Sequence, residues 1–489
     1  MRRVSGREAV AEQAADLLAD ESSLSGGWAV EAAWPAGPEE ASDYLRGLAA
    51  RGIPATPSGA LTGIAAGAVP EGGAVVSASQ MKQIDYLGDR RLKVGAGVTL
   101  DEIDGYLAAR SLQLFYPPDP TETTASIGGT LATDASGSDG YLYGSTRHWV
   151  EAVEMVLPGG ERLSLSRGDR SFRDGSCDVP GAGLVRMPQQ MPAPLPKSAA
   201  GYWLRPGMDL ADLLIGSEGT LGLFTGAILV LRPKPHSLVD LAVFPTSMDA
   251  FWGLFESILA MESRVRAVEM MDRPCIDLLR RHPPEGLPEL PEAAAVLLLR
   301  AEAEDETGLD HLLAELDGVL SDAGIPLEDT WGGFEETEHR RMVELRHSLP
   351  ETVNELVSRA RREDPAVHKL GSDAAVDAAS ARKLYRGTRE ILEGMDLPHL
   401  VFGHVGQGHL HANVIPRSHR QVEAGEEAMR EIAALAAGMG GTVSAEHGLG
   451  RLKAGFLELM LTPEEMEGMR HIRRSFDPQG LLCPAVTWA

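Results

Sequence analysis

Short apolar runs broken by glycine and proline set the rhythm of residues 1–235. Val10, Ala14, Leu17 and Leu18 recur at helical spacing and predict a helix within the N-terminal residues 1–27. Residues 28–33 read as a strand. Pro38-Glu39-Glu40 opens a helix that ends near Arg51, before Gly52 and Pro54. Strands follow at 74–77 and 91–94, and a helix at 100–110 with Thr99 as its cap. A strand over 149–157 turns through Pro158-Gly159-Gly160-Glu161 into residues 163–165. Residues 166–196 show no period and predict a long loop. Residues 227–232 return to strand, and Pro233-Lys234-Pro235 is a breaker that suits a domain boundary.

Beyond residue 235 the texture changes. Residues 239–244 alternate like a strand, and an amphipathic helix over 248–261 begins near Ser247. Strands at 265–270 and 294–301 and a helix at 309–323 continue an alternation that suits an α+β layer. Residues 335–362 form a charged helical run. Residues 400–402 and 412–415 read as extended, and 429–439 and 463–476 as helices, the last capped at Thr462. The expected divisions are 1–27, 28–235, 236–440 and 441–489.

Composition narrows the function. A chain of 489 residues predicts two or three domains, and 43% hydrophobic with 24% charged residues is ordinary for a globular protein. A net charge of −26 excludes a nucleic-acid binder and disfavours anionic lipid. Cys177, Cys275 and Cys483 are far apart, which excludes a disulfide scaffold, a cysteine-only zinc site and an iron–sulfur cluster held by this chain alone. Met1-Arg2-Arg3-Val4-Ser5-Gly6-Arg7-Glu8 has no apolar signal core, and no apolar run approaches the ~20 residues of a membrane span. A cytoplasmic address is expected, with attachment to a membrane only through a partner.

Three stretches are built from small residues: 57–70, 116–144 and 216–222. Such loops let backbone N–H groups approach an anion closely. A fourth stretch, Gly403-His404-Val405-Gly406-Gln407-Gly408-His409-Leu410-His411, carries three histidines. If it is extended, His409 and His411 share a face, and glycines let His404 bend back towards them. Ser444-Ala445-Glu446-His447-Gly448-Leu449-Gly450 adds a carboxylate and a fourth imidazole. Taken singly, these histidines suit surface and turn positions; taken together they suit a divalent metal such as zinc.

Pro117-Pro118-Asp119-Pro120, Ser126-Ile127-Gly128-Gly129, Tyr143-Gly144 and Gly216-Ser217-Glu218-Gly219-Thr220-Leu221-Gly222 occur in this order. They resemble the FAD-binding domain of the vanillyl-alcohol-oxidase type. Residues 403–411, 444–450 and Phe476-Asp477-Pro478 are similar to the branch that oxidises D-2-hydroxy acids: D-lactate dehydrogenases, the glycolate oxidase flavoprotein subunit and D-2-hydroxyglutarate dehydrogenase. The resemblance covers residues 28–486. It implies an α+β fold, with a two-subdomain FAD-binding domain over 28–235 and an α+β substrate (cap) domain over 236–440. A segment over 441–489 would return to the flavin.

The same resemblance implies roles. FAD would be held non-covalently by Gly59, Ala60, Thr62, Gly63, Pro118, Asp119, Ser126, Gly128, Gly129, Thr133, Gly137, Tyr143, Gly144, Gly216, Glu218, Gly219, Thr220 and Gly222. A divalent metal, zinc by its donor set, would be held by His404, His411 and Glu446. His447 would be the general base, and Arg346 and Asn413 would bind substrate. The implied activity is oxidation of a small D-2-hydroxy acid such as D-lactate, glycolate or 2-hydroxyglutarate. Proton removal would accompany hydride transfer to flavin N5. Electrons would pass to an external quinone, cytochrome, electron-transfer flavoprotein or iron–sulfur subunit. A homodimer is compatible with this reading.

The chain departs from the family pattern at several positions. Ser58 stands where arginine is usual, and Leu61 and Ala66 where glycines are usual. Leu61 is expected to crowd the flavin pyrophosphate. The first loop has no histidine to form a covalent flavin link. Asp134 replaces a common asparagine, Cys483 another, and Gln407 and His409 stand where aspartate and asparagine are usual. Three other readings compete. An oxidase would hand the electrons to O₂. A zinc hydrolase on His404, His411, Glu446 and His447 would leave the glycine-rich loops without a role. A flavin-binding protein that has lost catalysis would account for Leu61, Gln407 and His409.

Overall fold

The computed structural model describes residues 1–489 except 194, 196 and 334. Strand Glu31–Trp34, helix Pro38–Arg51 and strand Ala55–Ser58 form the first crossover. Pro38 sits in the helix's first turn, where its missing N–H costs nothing, and Gly52 ends it in the left-handed conformation at φ 62°. The helix buries Ala41, Tyr44, Leu45 and Leu48. Strands Glu31–Trp34 and Ala55–Ser58 both run parallel to Ala74–Ser77, which lies between them.

A second sheet is antiparallel throughout, in the order Ile84–Gly88, Arg91–Gly95, Leu223–Val230, Val150–Val156 and Arg162–Ser166. A third, seven-stranded antiparallel sheet orders Trp331–Gly333, Ser237–Val243, Ala295–Ala303, Arg264–Asp272, His399–Gly403, His411–Val414 and Leu370–Gly371. The first two sheets share one hydrophobic core, which runs from Ala33 to Leu231 and also takes in Val443, Leu449, Ile472, Phe476 and Trp488. The third sheet has its own core, from Val239 to Ala436. The last fifty residues therefore fold back onto the first half of the chain.

Several elements differ from what the sequence pattern predicts. The N-terminal residues are not simply a helix. Arg2–Ser5 is a strand paired antiparallel with Glu31–Trp34, followed by helix Arg7–Gln13 and a 3-10 turn at Ala15–Leu18. Only Val4 of that strand is buried, so no alternation marked it. The loop expected over 166–196 contains the hairpin Ser176–Val179 with Gly183–Arg186, and its residues 194 and 196 lie outside the described residues. The glycine-rich stretch 116–144 contains helix Ile127–Thr133, started by the Ser126 side chain, which accepts from Gly129 N. Helices Arg273–Arg281 and Ala381–Gly394 add to the expected elements, each burying one apolar face, and the helix expected at 429–439 extends over His419–Gly438.

The tail is tied down by both packing and hydrogen bonds. Ala55 N donates to Leu481 O at 2.7 Å, and Cys483 N donates to Ala55 O at 2.9 Å. The Arg473 guanidinium donates to the carbonyls of Leu482, Cys483, Val486 and Ala489. Trp488 is 1% exposed and meets the Tyr202 ring edge-on at 5.0 Å. Trp488→Ala is expected to cost about 3–5 kcal/mol of stability. Urea unfolding followed by circular dichroism measures it, and an unchanged midpoint would show that the tail does not anchor the first core.

Candidate active site

A cleft is walled by three small-residue loops. Residues Pro57, Ser58, Gly59, Ala60, Leu61, Thr62 and Gly63 form one side, and Ser126, Gly128, Gly129, Thr133 and Ser136 another. Glu218, Gly219, Gly222 and Phe224 form the third, and Glu446 and His447 line the same cleft. Ser126 Oγ joins two of the walls by accepting from Ala60 N at 3.1 Å. A Cβ on Gly59 would stand 2.5 Å from Ser126 Oγ, and one on Gly128 would stand 2.9 Å from the Ala96 Cβ, so both positions are held to glycine.

The other residues expected to hold the cofactor lie behind this lining. Asp119 Oδ1 accepts from Asp139 N at 2.9 Å, and Pro118 is buried beside it. A Cβ on Gly137 would meet Asp119 O at 1.9 Å. Tyr143 donates to Glu302, Gly144 packs on His148, Gly216 N donates to Leu131 O, and Thr220 Oγ1 donates to Ser217 O. These residues shape the walls from behind.

Leu61 lines the cleft, yet it also packs against the N-terminal apolar cluster of Val10, Leu17 and Trp34. Leu61 and Ala66 keep left-handed backbones, at φ 64° and 59°. Each thus adopts a conformation that glycine reaches without strain. Glu21 N donates to Leu61 O, so the N-terminal segment braces this turn.

The histidines stand on a hairpin. Strand His399–Gly403 pairs with His411–Val414, Phe402 facing His411 across the pair. Between them Val405–Gln407 makes one 3-10 turn, and Gly408 reverses the chain at φ 64°. A Cβ on Gly408 would lie 2.0 Å from Val376 O, and one on Gly403 would lie 2.9 Å from the His411 ring. Residues 372–376 strap this hairpin to the later loop. Ser372 Oγ donates to Leu410 O and accepts from Ala412 N, while Ala375 pairs with both His409 and Thr442. The two histidine-bearing stretches, distant in sequence, are thereby brought together.

The Glu446 carboxylate is the meeting point. His404 Nε2 and His411 Nε2 each lie 3.4 Å from Glu446 Oε1, and His447 Nε2 lies 3.6 Å from it. His409 Nδ1 lies 3.8 Å from Glu446 Oε2. Donor atoms of His404, His409, His411 and Glu446 all fall within 4.8 Å of one another, as do those of Asp373, His411, Glu446 and His447. His404, His411 and His409 are buried to different degrees, while His447 opens onto the cleft. Burial pushes the His447 pKa down to about 3, so its ring is neutral at neutral pH and able to accept a proton. Asn413 follows His411 by two residues on the same strand and so shares its face.

Four charged residues of this site have no role in the sequence reading. Glu269 Oε1 lies 2.6 Å from His404 Nδ1, and Glu269 Oε2 accepts from Arg346 Nε at 3.2 Å. Arg346 thus faces inward; it is no solvated residue of a charged helix. Asp373 contacts His409, His447 and Lys453. Lys453 Nζ lies 3.4 Å from His447 Nδ1, and Lys197 Nζ 2.9 Å from Glu446 Oε2. One signal was present: Glu269 is a charge between the apolar residues Val268 and Met270 of a buried strand, a placement that requires a partner.

The unusual residues also find partners. Gln407 Nε2 donates to Gly137 O at 3.1 Å and to Ser138 O at 3.2 Å, tying the hairpin to the first half of the chain. An aspartate there could not donate. Asp134 accepts from Arg147 Nε at 2.6 Å and Arg147 N at 2.9 Å. Cys483 is buried, and burial pushes its thiol up to about 12, which makes it a packed side chain.

Two α+β halves that close small-residue loops over a cleft ending at imidazoles and a carboxylate have the layout of a flavoprotein oxidoreductase. Comparison with known proteins bears this out. Residues 31–166 match the FAD binding domain family, and residues 234–486 match the family of FAD linked oxidases, C-terminal domain. The chain therefore belongs to the FAD-linked oxidases. It is 28% identical over 459 residues to the glycolate oxidase subunit GlcD of Bacillus subtilis, covering 93% of this chain and 88% of that one. It is 29% identical over 454 residues to a D-lactate dehydrogenase of Archaeoglobus fulgidus, with coverage of 92% and 89%. A solved 4-ethylphenol oxidase from Gulosibacter chungangensis has the same fold, with a TM-score of 0.67 at 15% identity, over 98% of this chain and 93% of that one. The protein is an FAD-dependent oxidoreductase, which removes the zinc-hydrolase reading. Among the described residues no helix is long and apolar enough to cross a membrane.

Glu218 offers a test of how the cleft is closed. Its carboxylate accepts from Leu449 N at 3.0 Å and Gly450 N at 2.7 Å, and burial pushes its pKa up to about 7. A carboxyl whose pKa is raised by folding favours the folded state below its unfolded value. That contribution is lost as pH rises towards 7. Relative to wild type, Glu218→Gln is therefore expected to gain on the order of 2 kcal/mol between pH 5 and pH 8. Urea denaturation of the flavin-free protein at the two pH values measures this, and a pH-independent difference would refute it.

Proposed function

We propose that the protein oxidises a small D-2-hydroxy acid, of the D-lactate, glycolate or 2-hydroxyglutarate kind, to the 2-oxo acid and passes the electrons to an external acceptor. One observation carries the proposal: the cleft between the small-residue loops opens at its end onto His447 and Glu446. A redox cofactor and an acid–base cluster would then share one space. The names of the two relatives, a glycolate oxidase subunit and a D-lactate dehydrogenase, support the substrate class.

The residues present fit both groups that this activity implies. FAD would lie non-covalently against walls made mostly of small residues, at Gly59, Ala60, Thr62, Gly63, Ser126, Gly128, Gly129, Thr133, Gly219 and Gly222, with Glu218 beside them. Pro118, Asp119, Gly137, Tyr143, Gly144, Gly216 and Thr220 would support those walls. Two imidazole nitrogens converging on one carboxylate oxygen, each at 3.4 Å, make a donor set suited to zinc from His404, His411 and Glu446. When bound, FAD supplies a two-electron acceptor and the metal supplies Lewis acidity towards the substrate hydroxyl.

His447 Nε2 would take the hydroxyl proton, and its neutral ring is ready to do so. With Nδ1 protonated, that atom would donate to Asp373 Oδ1, 3.4 Å away, and Lys453 Nζ, which donates to Asp373 Oδ2, holds the carboxylate in place for it. Arg346 donates through Nε to Glu269 and has further guanidinium donors for the substrate carboxylate. Asn413 would add an amide contact on the same strand face as His411. Cys177, Cys275 and Cys483 are separately buried, so electrons would leave through an acceptor that docks from outside, such as a quinone, cytochrome, electron-transfer flavoprotein or iron–sulfur subunit.

Anaerobic mixing with matched D- and L-2-hydroxy acids should bleach the flavin absorbance with the D series; absence of bleaching by any of them would remove the substrate assignment. His411→Ala is expected to lose bound metal and turnover while keeping the yellow colour. Full activity in that variant would take the metal out of the reaction. His447→Ala should keep both groups and reduce the flavin about 10²–10⁴-fold more slowly; a rate within a factor of two of wild type would deny it the role of base.

A further inference from the structure

His409 has no role in the scheme above, yet it is the most deeply enclosed imidazole in the cluster. It is 0% exposed, and while Nε2 faces Asp373, the other ring nitrogen, Nδ1, has no hydrogen-bond partner. A buried polar group without a partner costs about 1–3 kcal/mol. A ring that merely filled the hairpin would need no nitrogens there. We propose that His409 is a further ligand of the metal site, which then takes three imidazoles and one carboxylate from the protein. This rests on the metal reading above and extends it.

The orientation of the three rings carries the proposal. A ligating histidine ordinarily turns its outer nitrogen to a carboxylate or carbonyl, which fixes the tautomer and leaves the inner nitrogen free. His404 Nδ1 lies 2.6 Å from Glu269 Oε1, and His411 Nδ1 lies 3.2 Å from Ser372 O. His409 follows the same rule with its nitrogens exchanged: Nε2 lies 3.0 Å from Asp373 Oδ1. In all three rings the other nitrogen faces Glu446, at 3.4 Å for His404 and His411 and at 3.8 Å for His409. The exchange follows from the route of the chain. The Gly408 turn and the pairing of His409 with Ala375 bring the ring in beside Asp373. Its ring centroid lies 4.3 Å from that of His411 and 5.3 Å from that of His404.

Lys197 Nζ now supplies positive charge at Glu446 Oε2, 2.9 Å away, and a divalent ion among the four donors would take over that role. Three imidazoles and a carboxylate favour zinc over magnesium or calcium, which prefer oxygen-rich sites. A fourth protein donor would hold zinc more tightly than three.

X-ray absorption at the zinc edge of the zinc-loaded, FAD-containing protein tests this directly and needs no variant. Three imidazoles are expected in the wild type and two in His409→Asn. In competition with 4-(2-pyridylazo)resorcinol, the variant should give up zinc on the order of 10–100-fold more readily, with its flavin spectrum unchanged. Wild-type zinc with two imidazoles, or equal zinc retention in the variant, would overturn the role of His409 alone. A wild type that takes up no zinc would overturn this proposal together with the metal reading.

Discussion

A carboxylate sealed away from water must have its lone pairs answered by the protein, and the whole site hangs on one such group. Asp373 Oδ2 accepts from Ser444 Oγ at 2.6 Å, His447 N at 3.0 Å and Lys453 Nζ at 2.9 Å, and Oδ1 accepts from Glu446 N at 3.3 Å. The His409 and His447 rings stand 3.0 and 3.4 Å from Oδ1. Burial opposes ionisation, but the Lys453 ammonium and the hydrogen-bond donors around it hold the carboxyl well below the usual range, so it stays charged. One residue thereby sets the backbone path of the 444–448 loop and the orientation of two imidazoles.

The same logic joins the two halves of the chain. Glu218 holds the backbone of Leu449 and Gly450 from one side, and Gln407 reaches Gly137 and Ser138 from the other. Arg346 and His404 share Glu269 across the third sheet. These polar links bind the cleft to the cluster more specifically than packing would, because a buried donor or acceptor accepts few alternative partners. The apolar return of the C-terminal residues into the first core supplies the less directional part of the same closure.

The pattern of glycines and histidines made much of this legible. The three small-residue loops wall one cleft, and His404, His411, Glu446 and His447 meet as their residue types suggest. The residues that orient them were not legible as a set. Glu269, Asp373, Lys197 and Lys453 come from four separate segments, and only the tertiary fold shows that their charges oppose those of the site. Local elements failed for a related reason. Strand Arg2–Ser5 buries one side chain, and helix Ile127–Thr133 is built around glycines that packing requires, so neither carries a periodic signal.

The departures at Gln407 and His409 are best understood as one exchange of polarity. A carboxylate at 407 would face the carbonyls of Gly137 and Ser138, oxygen against oxygen, whereas an amide donates to both. Two residues on, an asparagine amide would be too short to span from Asp373 to Glu446, whereas an imidazole places one nitrogen towards each. The negative charge supporting the hairpin from within then comes from Asp373, on the strap, and the turn itself carries none. That arrangement lets the turn close against the flavin half of the chain while its histidines remain supported from the other side.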